Sequence, residues 1–315
     1  MLRVENCRPR LWWFVVIAVI VTVVSPALAQ GQDPRTNAKP EQAGSGAGSA
    51  SRSLVWTGIG ERGLSQAFPE AAVWLELEEG VRALGLFYPE TRLPAQGALV
   101  VLADEGETAA SGLAGAVARA LAARGWAVLT LGLEAPSPAL QRMLAGPVVS
   151  APGPEANDEA PTESVMIDVM APENADDLEA RYRNRISQAL EAGLAELVER
   201  GYEAPALMGI GRASIHVTNR ILEGASVSAL VWVAPQFYPS DRADLPERLT
   251  SLGTALLDLH PAGSGGGEPG WSTGEKLLRA GADGYQRQPI PGFGPPSAAF
   301  GDTIASRVAA WLESR

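Results

Sequence analysis

Apolar residues follow two different patterns in the first half of the chain. Apolar and polar residues alternate over 73–77, and a Glu-Gly turn leads from there into a second strand at 81–88, which together predict a β-hairpin. The apolar runs at 97–103 and 126–131 do not alternate, as in strands that are buried on both faces of a sheet. The pattern therefore predicts a hairpin that is followed by central parallel strands.

Segments with helical spacing alternate with strands through the rest of the chain. Further strands are predicted at 204–210, 229–234, 254–259 and 285–289, and helices at 109–124, 178–200, 213–222, 275–280 and 299–313. This order of elements is typical of an α/β fold in which helices cover both faces of a mostly parallel sheet. The opening hairpin would lie at one edge of that sheet.

The N-terminus has the pattern of a secretory signal peptide. Three arginines among the first ten residues precede an uncharged apolar run at 11–24, and the small-x-small pattern Ala27-Leu28-Ala29 follows. We predict a signal peptide at 1–29 that is cleaved after Ala29, and a periplasmic mature protein. The apolar run is short for a relaxed membrane span of about 20 residues. An uncleaved N-terminal anchor is the alternative, and it would be the chain's only contact with a membrane.

Two segments lack apolar periodicity, one before the predicted domain and one within it. Residues 30–53 are rich in Gln, Gly, Ala, Ser and Pro, and we predict a flexible linker there. One α/β domain is predicted over 54–315, with a disordered insert at about 134–177. The acidic run at 155–179 holds nine acidic residues and no basic one. It lacks the spacing of a calcium-binding loop, which favours a solvated insertion over a metal site.

Composition and charge exclude several classes of protein. The net charge of −11 argues against a protein that tracks nucleic-acid phosphates. The single cysteine, Cys7, lies in the predicted signal peptide, so the mature chain has neither a disulfide nor a cysteine zinc site. Removing residues 1–29 takes away three Arg and one Glu, which leaves a net charge of −13. With only two histidines as well, we predict no metal and no cofactor.

The strand at 204–208 and the turn Gly209-Ile210-Gly211-Arg212-Ala213 resemble the nucleophile elbow of α/β-hydrolases, in which the turn has the pattern small-x-nucleophile-x-small. The resemblance covers the chain from about residue 64 to its end and implies an α/β-hydrolase-like fold. Within that superfamily the chain is similar to an uncharacterised family of exported Gram-negative proteins, for which no activity is implied. The similarity rests on Trp74-Leu75-Glu76, the acidic insert after Leu133, the elbow, Leu256-Leu257-Asp258, and Arg307-Val308-Ala309-Ala310-Trp311-Leu312.

The chain departs from the hydrolase pattern at all three catalytic features. Gly211 stands at the nucleophile position and has no side chain with which to attack a carbonyl. The loop after the third strand, Ala103-Asp104-Glu105-Gly106-Glu107, carries three carboxylates where an oxyanion hole should attract negative charge. The segment 284–300, where the triad base normally lies, contains no histidine. Together these departures predict a protein that has lost acyl-transfer chemistry.

Three residues remain as candidates for a relocated catalytic set. Ser214 lies one helical turn beyond the elbow, but His216 follows it by two residues, a spacing at which helix side chains do not face each other. Asp258 and His260 lie on one face of a late strand, where the triad acid usually emerges. They could be a relic acid with a neighbouring histidine, half of a metal site, or a hydrogen-bonded strand end, and the last is the interpretation we favour.

The elbow could also bind a ligand without catalysing a reaction. A Gly-x-Gly turn that opens a helix presents backbone N–H groups and the positive end of the helix dipole, so Gly211 and Arg212 could hold an anion or a carbonyl oxygen. Asp104 and Glu105 would lie beside them if the fold is as expected. The simpler interpretation is a tight strand-to-helix turn that needs glycine for a positive φ.

Three functions follow from these patterns. We predict a catalytically degenerate α/β-hydrolase-like protein that acts as a periplasmic binding or interaction module, with a small molecule or an envelope protein as its partner and no nucleic acid. A periplasmic, esterase-like hydrolase with a non-standard catalytic set (Ser214, Asp258, His260) is the alternative. The third possibility is a structural envelope protein that uses its linker and acidic insert to reach partners.

Overall fold

The fold is taken from a computed structural model that describes residues 60–146, 175–250, 252–262, 274, 276–277, 284–292 and 294–315 of the 315-residue chain. The predicted signal peptide (1–29) and flexible linker (30–53) lie outside the described residues, as does most of the acidic insert. Among the described residues, no helix has the length and apolar character needed to cross a membrane.

The described chain alternates strands and helices. The strands are β1 (Ala72–Glu76), β2 (Arg82–Tyr88), β3 (Gly97–Glu105), β4 (Trp126–Leu133), β5 (Ala206–Ile210), β6 (Ala229–Val233), β7 (Ala255–Pro261) and β8 (Tyr285–Ile290). The helices are α1 (Glu61–Ala67), α2 (Gly112–Ala122), α3 (Pro138–Leu144), α4 (Ala175–Glu199), α5 (Ala213–Leu222), α6 (Pro239–Thr250) and α7 (Gly301–Glu313). Short 3₁₀ helices lie at Glu78–Gly80 and Ala298–Phe300.

All eight described strands form one sheet in the order β1-β2-β4-β3-β5-β6-β7-β8. β2 pairs antiparallel with β1 and with β4, and every pair from β4 to β8 is parallel. The predicted hairpin therefore lies at one edge, and the predicted α/β-hydrolase-like fold with a mostly parallel sheet is confirmed. At the centre, Val101 of β3 pairs with Thr130 of β4 on one side and Met208 of β5 on the other.

Two apolar cores lie on opposite faces of the sheet, because successive strand residues point to opposite faces. On one face Leu129 packs with buried residues of α4 and α5, such as Ile186 and Ile215. On the other face its neighbour Val128 packs with buried residues of α2 and α7, such as Val117. All residues of β4 are buried, which explains the unbroken apolar run in its sequence.

The structure corrects the sequence prediction within the insert. The stretch at about 134–177 was expected to be disordered, yet it contains α3. The Ser137 hydroxyl accepts a hydrogen bond from the Leu140 backbone N–H at 3.3 Å, which caps the helix. Leu140 and Leu144 are buried against Tyr238. Two apolar residues one helical turn apart are enough to dock this short helix on the domain.

A second correction concerns the third strand. β3 extends to Glu105, so Asp104 and Glu105 are its last two residues and do not belong to the following loop. This places their backbone and side chains beside the end of β5, since Leu102 of β3 pairs with Gly209 of β5.

Candidate functional site

The turn between β5 and α5 is an elbow that depends on two glycines. Gly211 has φ +55°, a left-handed conformation that favours glycine. Its N–H donates to the Val233 carbonyl at 2.9 Å, and its carbonyl accepts from the Gln236 N–H at 3.0 Å. A Cβ added at Gly209 would lie 2.7 Å from Val217 Cγ2, so the helix can approach the strand only over a glycine. The two hydrogen bonds hold the elbow against the end of β6.

The carboxylate of Asp104 lies directly over Gly211. A Cβ built on Gly211 would overlap all three atoms of that carboxylate group. Asp104 Oδ1 accepts hydrogen bonds from the Arg212 N–H at 2.9 Å and from the Glu105 N–H at 2.8 Å. The place of a nucleophile side chain is therefore taken by an acid from the neighbouring strand.

The same two N–H groups stand where the fold builds an oxyanion hole. In α/β-hydrolases the hole combines the N–H of the residue after the nucleophile with an N–H that follows the third strand. Here Arg212 follows the nucleophile position, Glu105 is the last residue of β3, and both donate to one oxygen of Asp104. A carboxylate also suits the positive end of the α5 dipole. Both N–H groups are thus already engaged by Asp104.

Polar and aromatic side chains cover this carboxylate. The Tyr238 hydroxyl donates to Glu105 Oε2 at 2.5 Å, and the Arg212 guanidinium lies 4.1 Å from the centre of the Tyr238 ring. Tyr238 is buried, and burial, followed by the bond to Glu105, raises its pKa. The tyrosine therefore keeps its proton and serves as a donor. Burial, followed by the charge of Asp104, raises the pKa of Glu107 as well.

Ser214 and His216 lie on α5 but are not joined. The Ser214 hydroxyl donates to the Gly209 carbonyl at 3.2 Å, and its side chain is fully buried. His216 contacts the ring of Tyr182 edge-on, with centroids 5.7 Å apart. Burial, followed by the charge of Arg183, lowers the pKa of His216 to about 3, so the imidazole is neutral. Its Nε2 has no hydrogen-bond partner among the described residues.

Asp258 lies within β7 and is held by residues of β8. Its Oδ2 accepts from the Tyr285 hydroxyl at 2.6 Å and lies 3.5 Å from Arg287 Nε. Burial raises the pKa of Asp258 to about 6, against the smaller opposing effects of Tyr285 and Arg287. Burial, followed by the Arg287 charge, lowers the pKa of His260. No side-chain hydrogen bond joins Asp258 to His260 within the part of the chain that the structure describes.

The candidate residues therefore fall into separate groups. Gly211, Arg212, Asp104 and Glu105 come together at the elbow, as the sequence pattern suggested, whereas Ser214 points to its own backbone and Asp258 is engaged on β8. No cluster of three or more His, Cys, Asp or Glu among the described residues could hold a metal ion. Sequence reasoning missed Tyr238, and nothing in the local pattern around it marks it as the partner of Glu105.

Comparison with known proteins adds a family and a set of structural likenesses. A family model described as "Protein of unknown function (DUF3530)" matches residues 12–264. No curated protein sequence matches the chain. Among solved structures, the esterase domain of a Rhodothermus marinus protein is 12% identical, with a TM-score of 0.48, over 77% of this chain and 97% of its own. A dienelactone hydrolase from Anabaena variabilis is 17% identical, with a TM-score of 0.49, over 76% and 95%.

Removing the Asp104 carboxylate should destabilise the fold. In Asp104→Ala the N–H groups of Arg212 and Glu105 lose their acceptor, which costs about 1–3 kcal/mol in the free energy of unfolding. Asp104→Asn keeps an acceptor oxygen and should lose less. Denaturant unfolding at neutral pH compares the two variants with the wild type. Equal stability of Asp104→Ala and the wild type would contradict this account of the elbow.

Asp258 should make stability depend on pH. Because its pKa is raised from 3.8 to about 6 in the folded protein, the folded state binds the proton more tightly than the unfolded state. Its contribution to stability is therefore greatest below about pH 4 and is lost as the pH rises through 6. Relative to Asp258→Asn, which does not titrate, the wild type should lose about 2 kcal/mol between pH 4 and 7. Unfolding free energies across this range would refute the prediction if the difference stayed constant.

Proposed function

Because the chain belongs to the DUF3530 family of proteins of unknown function, we propose its role from its own geometry. The proposal is an α/β-hydrolase-like protein without hydrolase activity, which is exported and acts as a binding or interaction module. The observation that carries it is the Asp104 carboxylate, which takes the space of a nucleophile over Gly211 and both donors of the oxyanion hole.

Each step of acyl transfer lacks a component at this elbow. Attack needs a nucleophile, and Gly211 has no side chain. A tetrahedral intermediate needs two free donors, and those of Arg212 and Glu105 are engaged. A developing oxyanion would meet the negative charge of Asp104 at hydrogen-bond distance. Proton transfer needs a base, and the segment 284–300 has no histidine.

The candidates for a relocated catalytic set do not compensate for these losses. Ser214 Oγ is buried and donates to the Gly209 carbonyl, so no base draws its proton. Asp258 accepts from Tyr285 and lies beside Arg287, and does not orient a catalytic histidine. These contacts support a non-catalytic protein over an esterase with a displaced triad.

A fluorophosphonate probe and a panel of short-chain esters test the absence of catalysis. We expect neither covalent labelling nor turnover by the wild type. Gly211→Ser should also remain unlabelled, because its Cβ would overlap the Asp104 carboxylate, and it should unfold more readily. Gly211→Ala is the matched control, since it has the same steric clash without a hydroxyl. Stoichiometric labelling of the wild type that is lost in Ser214→Ala would overturn the proposal in favour of the hydrolase alternative.

Export is the second part of the proposal and rests on the sequence of residues 1–29. The basic start, the apolar run at 11–24 and the Ala27-Leu28-Ala29 pattern together support cleavage by signal peptidase. An acidic, cysteine-free mature chain is compatible with an oxidising compartment, where it forms no unwanted disulfides.

The mass of the mature protein checks the export prediction. When the full chain is expressed in a Gram-negative host, the periplasmic fraction should contain a product whose N-terminal residue is Gln30. Replacement of Ala29 by a bulky residue, as in Ala29→Phe, should leave the precursor uncut because the peptidase accepts small residues at that position. A full-length protein that stays in the cytoplasm would rule out export.

A further inference from the structure

A groove of about 380 Å³ lies between the last strand and the last helix, away from the elbow. β8 is the edge strand of the described sheet, since it pairs only with β7. One wall of the groove carries the side chains of Gln286 and Gln288 from this strand. The other wall is α7, which presents Arg307, Ala310 and Trp311 at the spacing of a single helix face.

The groove differs in charge from the rest of the protein. The chain has a net charge of −11, yet none of the residues that line the groove is Asp or Glu. Arg307 is half-buried in its wall, and it makes no hydrogen bond or ion pair with any residue that the structure describes. A half-buried guanidinium without an acid partner favours an oxyanion from outside, which it can hold through two parallel hydrogen bonds.

The remaining lining groups suit hydroxyl groups. Each amide of Gln286 and Gln288 offers both donors and an acceptor, and Ser306 adds a hydroxyl. The Ser314 hydroxyl donates to the Trp311 carbonyl at 2.7 Å and offers a ligand only its acceptor oxygen. These groups match a ligand that itself presents several donors and acceptors. A purely apolar ligand would leave them unpaired.

Trp311 forms part of the apolar wall of the groove. Its side chain is only 4% exposed, and its Nε1–H has no acceptor among the described residues. The Arg315 guanidinium lies 4.5 Å from the centre of the ring, at cation–π distance. Because the Trp311 Nε1 is shielded from solvent, the indole contributes an apolar wall to the groove and no donor to a ligand.

We propose that this groove between β8 and α7 binds an anionic carbohydrate, a polyhydroxylated molecule that carries a carboxylate or phosphate. Arg307 binds the oxyanion, the glutamines and serines bind hydroxyl groups, and Trp311 forms the apolar wall. The volume lies within the range of ligand pockets, about 300–1,000 Å³. The site is independent of the elbow, so it stands whether or not the protein catalyses a reaction.

An extended peptide that adds a strand to β8 is the competing occupant, and the sequence of the strand disfavours it. β8 contains Pro289, which has no N–H to donate to an added strand. Prolines of this kind are typical of edge strands that are protected from pairing. Recognition by side chains, as in the proposed site, does not depend on this missing N–H.

Calorimetry with the full protein tests the proposal with digalacturonate as the probe, and with lactose, sodium acetate and hexaglutamate as comparisons. We expect digalacturonate to bind measurably and at least tenfold more tightly than lactose or acetate. Arg307→Gln should weaken digalacturonate about tenfold or more. Arg92→Gln, which removes the same charge at an exposed position outside the groove, should bind as the wild type does.

A second variant separates binding from folding. Ala310 is exposed on the groove wall, so Ala310→Tyr should fold normally, as judged by circular dichroism and thermal unfolding, and should abolish binding by filling the space. The proposal is overturned if digalacturonate does not bind, if acetate binds equally well, or if binding survives both Arg307→Gln and Ala310→Tyr. Tighter binding of hexaglutamate would assign the groove to a peptide instead.

Discussion

One carboxylate, that of Asp104, sets the chemistry at the carboxyl edge of the sheet. Its Oδ1 accepts hydrogen bonds from the N–H of Glu105, its neighbour, and from the N–H of Arg212, which is 108 residues further along the chain. Both donors lie at the N-terminus of α5 or beside it, where the helix dipole favours negative charge. Two other carboxylates lie near that charge. Glu105 accepts a hydrogen bond from the Tyr238 hydroxyl, and burial, followed by the charge of Asp104, raises the pKa of Glu107.

The interaction couples two positions that are distant in sequence. β3 and β5 are neighbours in the sheet, so the last residues of β3 reach the turn that follows β5. Asp104 fits there only because Gly211 has no Cβ, since the side chain of any other residue at position 211 would overlap the Asp104 carboxylate. A serine side chain at position 211 would thus require a smaller residue at 104 as well. The geometry of the elbow therefore depends on Asp104 and Gly211 together.

The sequence was sufficient for the elements that are long and strongly patterned, such as the hairpin, β4 and the elbow turn. It was not sufficient for α6, because that helix contains Pro246 and buries few of its residues, so its apolar pattern is weak. The sequence shows that the carboxylates at the end of β3 would repel an oxyanion, but local pattern cannot show that Asp104 accepts the N–H groups of Arg212 and Glu105. That contact depends on the pairing of β3 with β5, which is a property of the folded sheet.

A filled elbow changes where this fold can bind. In open α/β sheets, ligands usually bind beyond the carboxyl ends of the strands, and here Asp104 and Tyr238 occupy that region around the elbow. A binding role then needs another surface with unpaired groups and room for a ligand. The groove at β8 has such room, about 380 Å³, and the Arg307 in its wall is half-buried. The site proposed at this edge is thus compatible with an elbow whose N–H groups are engaged by Asp104.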